Sequence, residues 1–208
     1  VATELAAAIK ARGGAVLAVP GGTTPRRFLE RLGAAALDWP TVTVVPTDER
    51  VVPPDDERAN QRLVRETLLA GRAGTATFLS LHGAPPADPG GPPAVAARLA
   101  PRLPLDVAVL GIGRDGHTAS LFPGSPDLAA ALAPDAPAVL PVEAPGAPEP
   151  RVTLSATVLA GARSVHLLIE RAEKGAALES ALEDGPVEEA PVRAVLRRAG
   201  PTTIHVAP

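Results

Sequence analysis

The sequence contains no cysteine, and only 2% of its residues are aromatic. The absence of cysteine excludes thiol nucleophiles, disulfides and thiolate metal sites, so histidine and carboxylates are the metal ligands that remain. The scarcity of aromatic rings removes the stacking platforms on which single-stranded nucleic acids bind. Because the net charge of -3 comes from charges of both signs scattered along the chain, we expect no nucleic-acid partner.

Long apolar runs are also missing from the sequence. No segment approaches the roughly 20 apolar residues of a membrane-spanning helix, and the first residues lack the charged-then-apolar order of a signal peptide. We therefore expect a cytoplasmic protein with no membrane partner. The 208 residues suit a single α/β domain. Because the chain starts inside a helical pattern, we expect the domain spanning 1–208 to be truncated at both ends.

Five short runs rich in Val, Leu and Ile are predicted to be buried parallel strands, because their apolarity is continuous rather than alternating. Helical patterns separate these runs. This alternation predicts a doubly wound, mainly parallel α/β sheet with helices on both faces. The predicted strands are residues 15–19, 42–46, 105–110, 165–169 and 203–206, and the predicted helices are residues 3–12, 25–32, 57–69, 94–100 and 172–182.

Proline and glycine are concentrated in residues 83–93 and 133–150, which we therefore predict to be long surface loops. Ligands of open α/β sheets bind outside the carboxyl ends of the strands. The loops that directly follow the predicted strands are thus the places to look for chemistry.

The loop at residues 20–25, Pro-Gly-Gly-Thr-Thr-Pro, follows the first predicted strand and leads into a helix, with Thr24 as its predicted N-cap. Free backbone N–H groups and a helix dipole favour an anion at such a turn, and the absence of side chains permits close approach. We predict a phosphate site at Gly21, Gly22 and Thr23. The alternative is a tight turn that needs glycine for its backbone angles.

Charged residues follow the second predicted strand. Arg50 has the fixed donors that suit a phosphate, and Asp48 and Glu49 are placed to hold its guanidinium. The alternative is a solvated turn. Asn60 falls near the start of the next predicted helix, where its amide either reaches a sugar hydroxyl or faces water.

The loop at residues 111–124, Gly-Ile-Gly-Arg-Asp-Gly-His-Thr-Ala-Ser-Leu-Phe-Pro-Gly, combines glycines, an acid and a histidine after the third predicted strand. Imidazole has a reference pKa of about 6.5, so a histidine here suits the activation of water at neutral pH. We predict that His117 is a general base and that Asp115 orients its imidazole or a neighbouring amide. The alternative is a structural or merely exposed histidine. His82, His166 and His205 lack such a context and are predicted to be structural, and no metal-ligand spacing is present.

Lys174 falls in the first turn of the last predicted helix, where the helix dipole disfavours a cation. A ligand phosphate at the sheet edge explains its place there, and the alternative is a solvated surface lysine.

In their order and spacing, these segments resemble the 6-phosphogluconolactonase family. The resemblance rests on Gly-Gly-Thr-Thr-Pro from Gly21, Asp-Glu-Arg-Val-Val-Pro from Asp48 and the long third loop. Arg-Val-Thr-Leu-Ser from Arg151 and the late Lys174 also match. The resemblance covers almost the whole chain and implies hydrolysis of 6-phospho-D-glucono-1,5-lactone to 6-phosphogluconate in the oxidative pentose phosphate pathway, without a cofactor.

The resemblance also implies a role for each site residue. His117 is the general base, with Asp115 beside it. The phosphate is held by the residues of the first loop together with Arg50 and Lys174. Asp48, Asn60 and Asp115 orient the sugar, the loops or His117, and Gly113 is one of the substrate-binding residues. The sequence departs from the family pattern at Ala59, where serine is frequent, and at Arg171, where glycine is usual.

The sequence leaves two alternatives to the lactonase. Glucosamine-6-phosphate deaminases and isomerases share the first loop, but their histidine segment continues as Phe-Asn-Glu-Pro, and they have Asp-Glu-Tyr where this chain has Asp-Glu-Arg at 48–50. Both differences favour the lactonase. A non-catalytic sugar-phosphate sensor usually adds a DNA-binding helix-turn-helix, which the sequence lacks. We expect a monomer, with a homodimer as the alternative.

Overall fold

The computed structural model describes residues 1–81, 90–170 and 172–207. The described α-helices are α1 Ala2–Arg12, α2 Arg26–Gly33, α3 Asn60–Glu66, α4 Gly91–Leu99, α5 Leu128–Leu132, α6 Ala156–Ala160, α7 Ala172–Leu182 and α8 Arg193–Leu196. The described strands are β1 Ala15–Val19, β2 Val42–Pro46, β3 Asp48–Arg50, β4 Thr77–Phe78, β5 Val107–Gly111, β6 Val139–Val142, β7 Arg151–Leu154, β8 Ser164–Glu170 and β9 Thr202–Ala207.

Six strands form a parallel sheet in the order β4-β2-β1-β5-β8-β9. The central strands are buried on both faces, as their continuous apolarity predicts. In β1, Val16 and Ala18 pack in one apolar core, and Ala15, Leu17 and Val19 pack in a second core. The predicted doubly wound fold, with helices covering both faces, is therefore confirmed.

The two cores are built by different helices. α1, α2 and α3 contribute to the core that contains Leu17, whereas α4 to α8 contribute to the core that contains Val16. Both cores lie against the same sheet, which fixes the carboxyl ends of its strands relative to one another.

A second, antiparallel sheet in the order β3-β7-β6 has no counterpart in the sequence prediction. β6 lies inside residues 133–150, so the prediction of a loop there is wrong for Val139–Val142. Pro141 is tolerated because β6 is the edge strand of this sheet, where a missing N–H costs no ladder bond. The small sheet carries the residues of β3 against the end of the large sheet.

Two predicted helices differ from the structure by three residues at one end or at both. The helix predicted at 57–69 is shorter, because α3 starts at Asn60 and ends at Glu66. The prolines in Gly-Pro-Pro at 91–93 do not extend a loop but open α4, since the first helical turn needs no N–H donors. Residues 83–89 of the predicted loop, and His82, lie outside the described residues.

Candidate active site

The loops that follow four neighbouring strands, β1, β2, β5 and β8, meet at the carboxyl edge of the large sheet. A cleft of about 260 Å³ opens between them. Most of the residues that the sequence predicted for the site line this cleft: Gly21, Gly22, Asp48, Arg50, Asn60, Gly113, His117 and Lys174. Of the other two, Asp115 is hydrogen-bonded to His117, and Thr23 lines adjoining cavities.

His117 and Asp115 form a hydrogen-bonded pair at the wall of the cleft. The distance from His117 Nδ1 to Asp115 Oδ1 is 2.6 Å, and the same oxygen accepts the backbone N–H of His117 at 3.2 Å. The hydrogen bond with His117 lowers the pKa of Asp115, although burial opposes this. Asp115 is therefore a carboxylate at neutral pH and can only accept, so Nδ1 carries the proton and Nε2 is left to take another.

Gly113 provides the space that this pair occupies. A Cβ atom at position 113 would collide with His117 Nδ1 and would lie 2.6 Å from Asp115 Oδ1. The backbone N–H of Gly113 donates to the carbonyl of His117 at 2.9 Å, which closes the loop beneath the ring. The Phe122 ring packs on the imidazole, with 4.7 Å between ring centroids. The imidazole is thus held by a hydrogen bond and by packing.

Asp48 is tied to the loop that carries His117. The Ser120 hydroxyl donates to Asp48 Oδ2 at 2.7 Å, and the Thr47 hydroxyl donates to Oδ1 at 3.1 Å. Ser120 is fully buried, and Asp48 is nearly so. No role for Ser120 or Thr47 follows from the sequence, because nothing in the local pattern signals a bond between residues 72 positions apart. This network fixes β3 against the third loop.

Glu49 caps the N-terminus of α3. Its buried carboxylate accepts the backbone N–H groups of Asn60 and Gln61, each at 2.7 Å, and that of Arg50 at 2.7 Å. Burial raises the pKa of Glu49, and these N–H groups oppose the rise. The cap places Asn60 at the cleft, where its side-chain amide donates to the carbonyl of Asp48 at 2.8 Å.

The expectation that Asp48 and Glu49 hold the Arg50 guanidinium is wrong, because both carboxylates bond elsewhere. The guanidinium donates to the carbonyl of Arg58 instead. Across the small sheet, Arg50 lies opposite Arg151, whose pKa is lowered by burial and then by the charge of Arg50. The Nε atoms of both arginines are buried and have no hydrogen-bond partner within the described residues. Two adjacent guanidinium groups favour an anion nearby.

The first loop and α7 meet at the other end of the cleft. Lys174 lies in the first turn of α7, as predicted, and its Nζ donates to the Thr24 hydroxyl at 3.1 Å. Thr24 does not cap α2, which starts at Arg26 without a side-chain cap, so that expectation is wrong. An adjoining cavity of about 190 Å³ is lined by Gly21, Gly22, Thr23 and Lys174 among others. Its glycines and cation suit a phosphate.

A family model described as glucosamine-6-phosphate isomerases/6-phosphogluconolactonase matches residues 1–204. The 6-phosphogluconolactonase of Rhizobium meliloti (strain 1021) is 46% identical over 211 residues, covering 100% of this chain and 91% of the relative. The chain belongs to the 6-phosphogluconolactonase family. The 6-phosphogluconolactonase of Pseudomonas aeruginosa is 43% identical over 212 residues, covering 99% of this chain and 86% of the relative. A crystal structure of a 6-phosphogluconolactonase from Shewanella baltica OS155 matches with a TM-score of 0.94 and 37% identity, covering 100% of this chain and 89% of that chain.

Membership of the 6-phosphogluconolactonase family confirms the resemblance that the three loops indicate. The family model also includes the glucosamine-6-phosphate isomerases, but the relatives described above are named 6-phosphogluconolactonases. The structure places Ala59, one of the two departures from the family pattern, at the N-cap of α3, where the Glu49 carboxylate supplies the cap that a serine side chain would otherwise make. The other departure, Arg171, lies outside the described residues.

Other parts of the 6-phosphogluconolactonase fold are separate from the cleft. His166 and His205 lie in β8 and β9, with 2.9 Å between His166 Nδ1 and His205 Nε2, and neither lines the cleft.

In the three described stretches, 1–81, 90–170 and 172–207, no three histidine or acidic side chains are grouped so that they could hold a metal ion. No helix among those same residues has the length and apolarity that crossing a bilayer requires.

Proposed function

We propose that this chain hydrolyses 6-phospho-D-glucono-1,5-lactone to 6-phosphogluconate, with His117 as the general base. The observation that carries the proposal is the His117–Asp115 pair in a cleft that also contains Arg50 and Lys174. A base and phosphate-binding cations within one cleft suit a sugar phosphate whose ester group must be attacked by water. The names of the relatives agree with this activity.

In the proposed reaction, Nε2 of His117 takes a proton from water as the water oxygen bonds to the lactone carbonyl carbon. The Asp115 carboxylate stabilises the imidazolium that forms. The tetrahedral intermediate then breaks the bond between this carbon and the ring oxygen, and the imidazolium returns its proton to the ring oxygen. The product acid loses its proton to solvent. No cofactor enters this sequence of steps.

The proposed contacts to the sugar use both walls of the cleft. Arg50, Lys174 and the first loop hold the phosphate, whereas Asp48 and Asn60 bind hydroxyl groups. The third loop has fewer backbone N–H groups available to bind the oxyanion of the tetrahedral intermediate than its length suggests. Its N–H groups at 113, 116, 117, 120 and 121 already donate to acceptors in the protein.

The proposal is tested by the rate of 6-phosphogluconate formation from freshly generated lactone, compared with spontaneous hydrolysis. The proposed function requires a rate that exceeds this background strongly and saturates with substrate. If the rate equals the background while glucosamine 6-phosphate is converted to a ketose phosphate and ammonia, the isomerase alternative replaces it.

Asp115→Asn is expected to lower kcat by about tenfold, the difference between a charge-assisted and a neutral hydrogen bond. Asparagine keeps an oxygen for Nδ1 but loses the charge that stabilises the imidazolium. Steady-state kinetics measure the loss. An unchanged kcat would exclude stabilisation of the imidazolium by the Asp115 charge.

Arg50→Ala is expected to raise KM by about 10- to 10²-fold, the contribution of a charged hydrogen bond, with little change in kcat. A phosphate is bound equally in the ground state and the transition state, so its loss weakens uniform binding. Steady-state kinetics at saturating and subsaturating lactone separate KM from kcat.

Arg62→Ala is the matched control for Arg50→Ala. Arg62 lies in α3 beside the neighbouring cavity and pairs with Glu66 at 2.7 Å, and it does not line the cleft. Removing its charge changes the general field but no proposed phosphate contact. If Arg62→Ala raised KM as much as Arg50→Ala does, Arg50 would act only through net charge.

The remaining expectations stay predictions. They are a monomer, with a homodimer as the alternative, a single lactonase domain, cytoplasmic location and no nucleic-acid partner. Light scattering on the purified chain tests the first of them directly.

A further inference from the structure

We propose that residues 183–192, which we name the brace, position the loop that carries His117, and that Arg193 holds the brace in place. The inference rests on the proposed function, because it takes His117 as the base. The brace connects α7 to α8 and touches the third loop without lining the cleft, so its residues are positioning residues.

Arg193 is a buried arginine whose guanidinium donates to three backbone carbonyls and also lies 3.9 Å from the carboxylate of Glu189 in the brace. Its side chain is only 5% exposed. The guanidinium donates to the carbonyls of Ser180 at 2.9 Å, Ala181 at 3.2 Å and Pro186 at 2.8 Å. The first two belong to the last turn of α7, where helix carbonyls lack partners within the helix. One side chain thus joins the end of α7 to the brace.

The brace contacts the third loop next to the base. The backbone N–H of Val192 donates to the carbonyl of Gly116 at 3.0 Å. Gly116 has a φ of 80°, and a Cβ atom there would lie 2.9 Å from Ala190 Cβ and 3.0 Å from Ala190 Cα. Two backbones therefore approach as closely as the absence of a side chain permits, at the residue that precedes His117.

α7 also contacts the first loop through its other end, because Lys174 donates to Thr24. Its first turn therefore meets the proposed phosphate loop, while its last turn is held to the brace by Arg193. A helix anchored at both ends keeps these two loops in register. Displacing a reacting group by about 1 Å lowers a rate by up to about 10²-fold, so the support behind His117 affects catalysis directly.

The first experiment uses Gly116→Ala, whose methyl group would push the third loop away from Ala190. We expect kcat to fall by about 10- to 10²-fold with KM changed less than about threefold, because the base moves while the phosphate contacts remain. Gly124→Ala is the matched control. Gly124 has a φ of 75°, but no atom lies within 4 Å of the place that its Cβ would take, so alanine adds the same backbone strain without the contact. We expect its kcat to stay near that of the wild type.

Adding Ala190→Gly to Gly116→Ala removes one of the two colliding atoms and should restore part of the lost kcat.

Arg193→Lys is a second test of the brace, since an ammonium group cannot reach three carbonyls with the geometry of a guanidinium. We expect a lower kcat at unchanged KM. Arg198→Lys is its control, because the Arg198 guanidinium also donates to three backbone carbonyls, at Ala160, Pro201 and Ala162, and none of them belongs to the brace.

A readout independent of activity is the imidazole NMR signal of His117, assigned by its absence in His117→Ala. The proposal expects Gly116→Ala to shift this signal and Ala190→Gly to reverse the shift. Equal losses of kcat in Gly116→Ala and Gly124→Ala, or an unshifted imidazole signal, would overturn the proposal that the brace positions His117. A wild type that fails to exceed background hydrolysis would overturn the proposed function instead, and the NMR comparison would still decide whether the brace positions His117.

Discussion

His117→Ala is expected to lower kcat by about 10²- to 10⁴-fold, the usual contribution of a general base, while KM changes little. The imidazole is the group in the cleft whose Nε2 is left to accept a proton, since Asp115 occupies Nδ1. Without it, water must attack the carbonyl unaided. The phosphate contacts are made by other side chains, so substrate binding should persist. Initial rates corrected for spontaneous hydrolysis measure the loss.

His205→Ala is the matched control, because it removes an imidazole in β9 that does not line the cleft. Its rate should equal that of the wild type. Binding of 6-phosphogluconate, measured by calorimetry, should be similar in all three proteins. Turnover by His117→Ala within about threefold of the wild type would remove His117 from the mechanism, since a general base contributes far more than that.

The large sheet was predictable because its strands are buried on both faces. Strands such as β1 and β2 are then short continuous apolar runs, and their bounds in the structure are those of the predicted runs. The small sheet was not predictable in the same way. β3 is Asp-Glu-Arg, and β6 contains Pro141, so neither has the composition of a strand. Pairing with β7 gives these segments their structure, and that pairing is visible only in three dimensions.

The residues of the candidate site also form two groups, those that the sequence predicts and those that it does not. The glycines, His117 and Lys174 stand at the ends of predicted strands, so the topology alone brought them together. The supporting contacts depend on partners far apart in sequence. Ser120 reaches Asp48, and Arg193 reaches the last turn of α7, and neither pairing follows from local spacing. Glu49 was expected to hold Arg50, but its burial places it under α3, where unpaired N–H groups need an acceptor.

Gly113→Ala is expected to lower kcat by about 10²-fold, because its methyl group would occupy the place of the His117–Asp115 pair. The φ of Gly113 is not in the left-handed region, so alanine adds bulk there without backbone strain. The imidazole must move for the methyl group to fit, and the hydrogen bond at Nδ1 then breaks. Steady-state kinetics should show the loss in kcat. Thermal unfolding should show a smaller proportional loss of stability.

The double variant Gly113→Ala, His117→Ala separates the two ways in which the methyl group can act. If alanine at 113 harms catalysis only by displacing the imidazole, the double variant should be no slower than His117→Ala alone, since the effects of residues that act as a unit do not add. A double variant slower by a further factor of about ten, the size of one lost hydrogen bond, would mean that Gly113 contributes to the reaction by a second route, through space that the substrate itself must occupy.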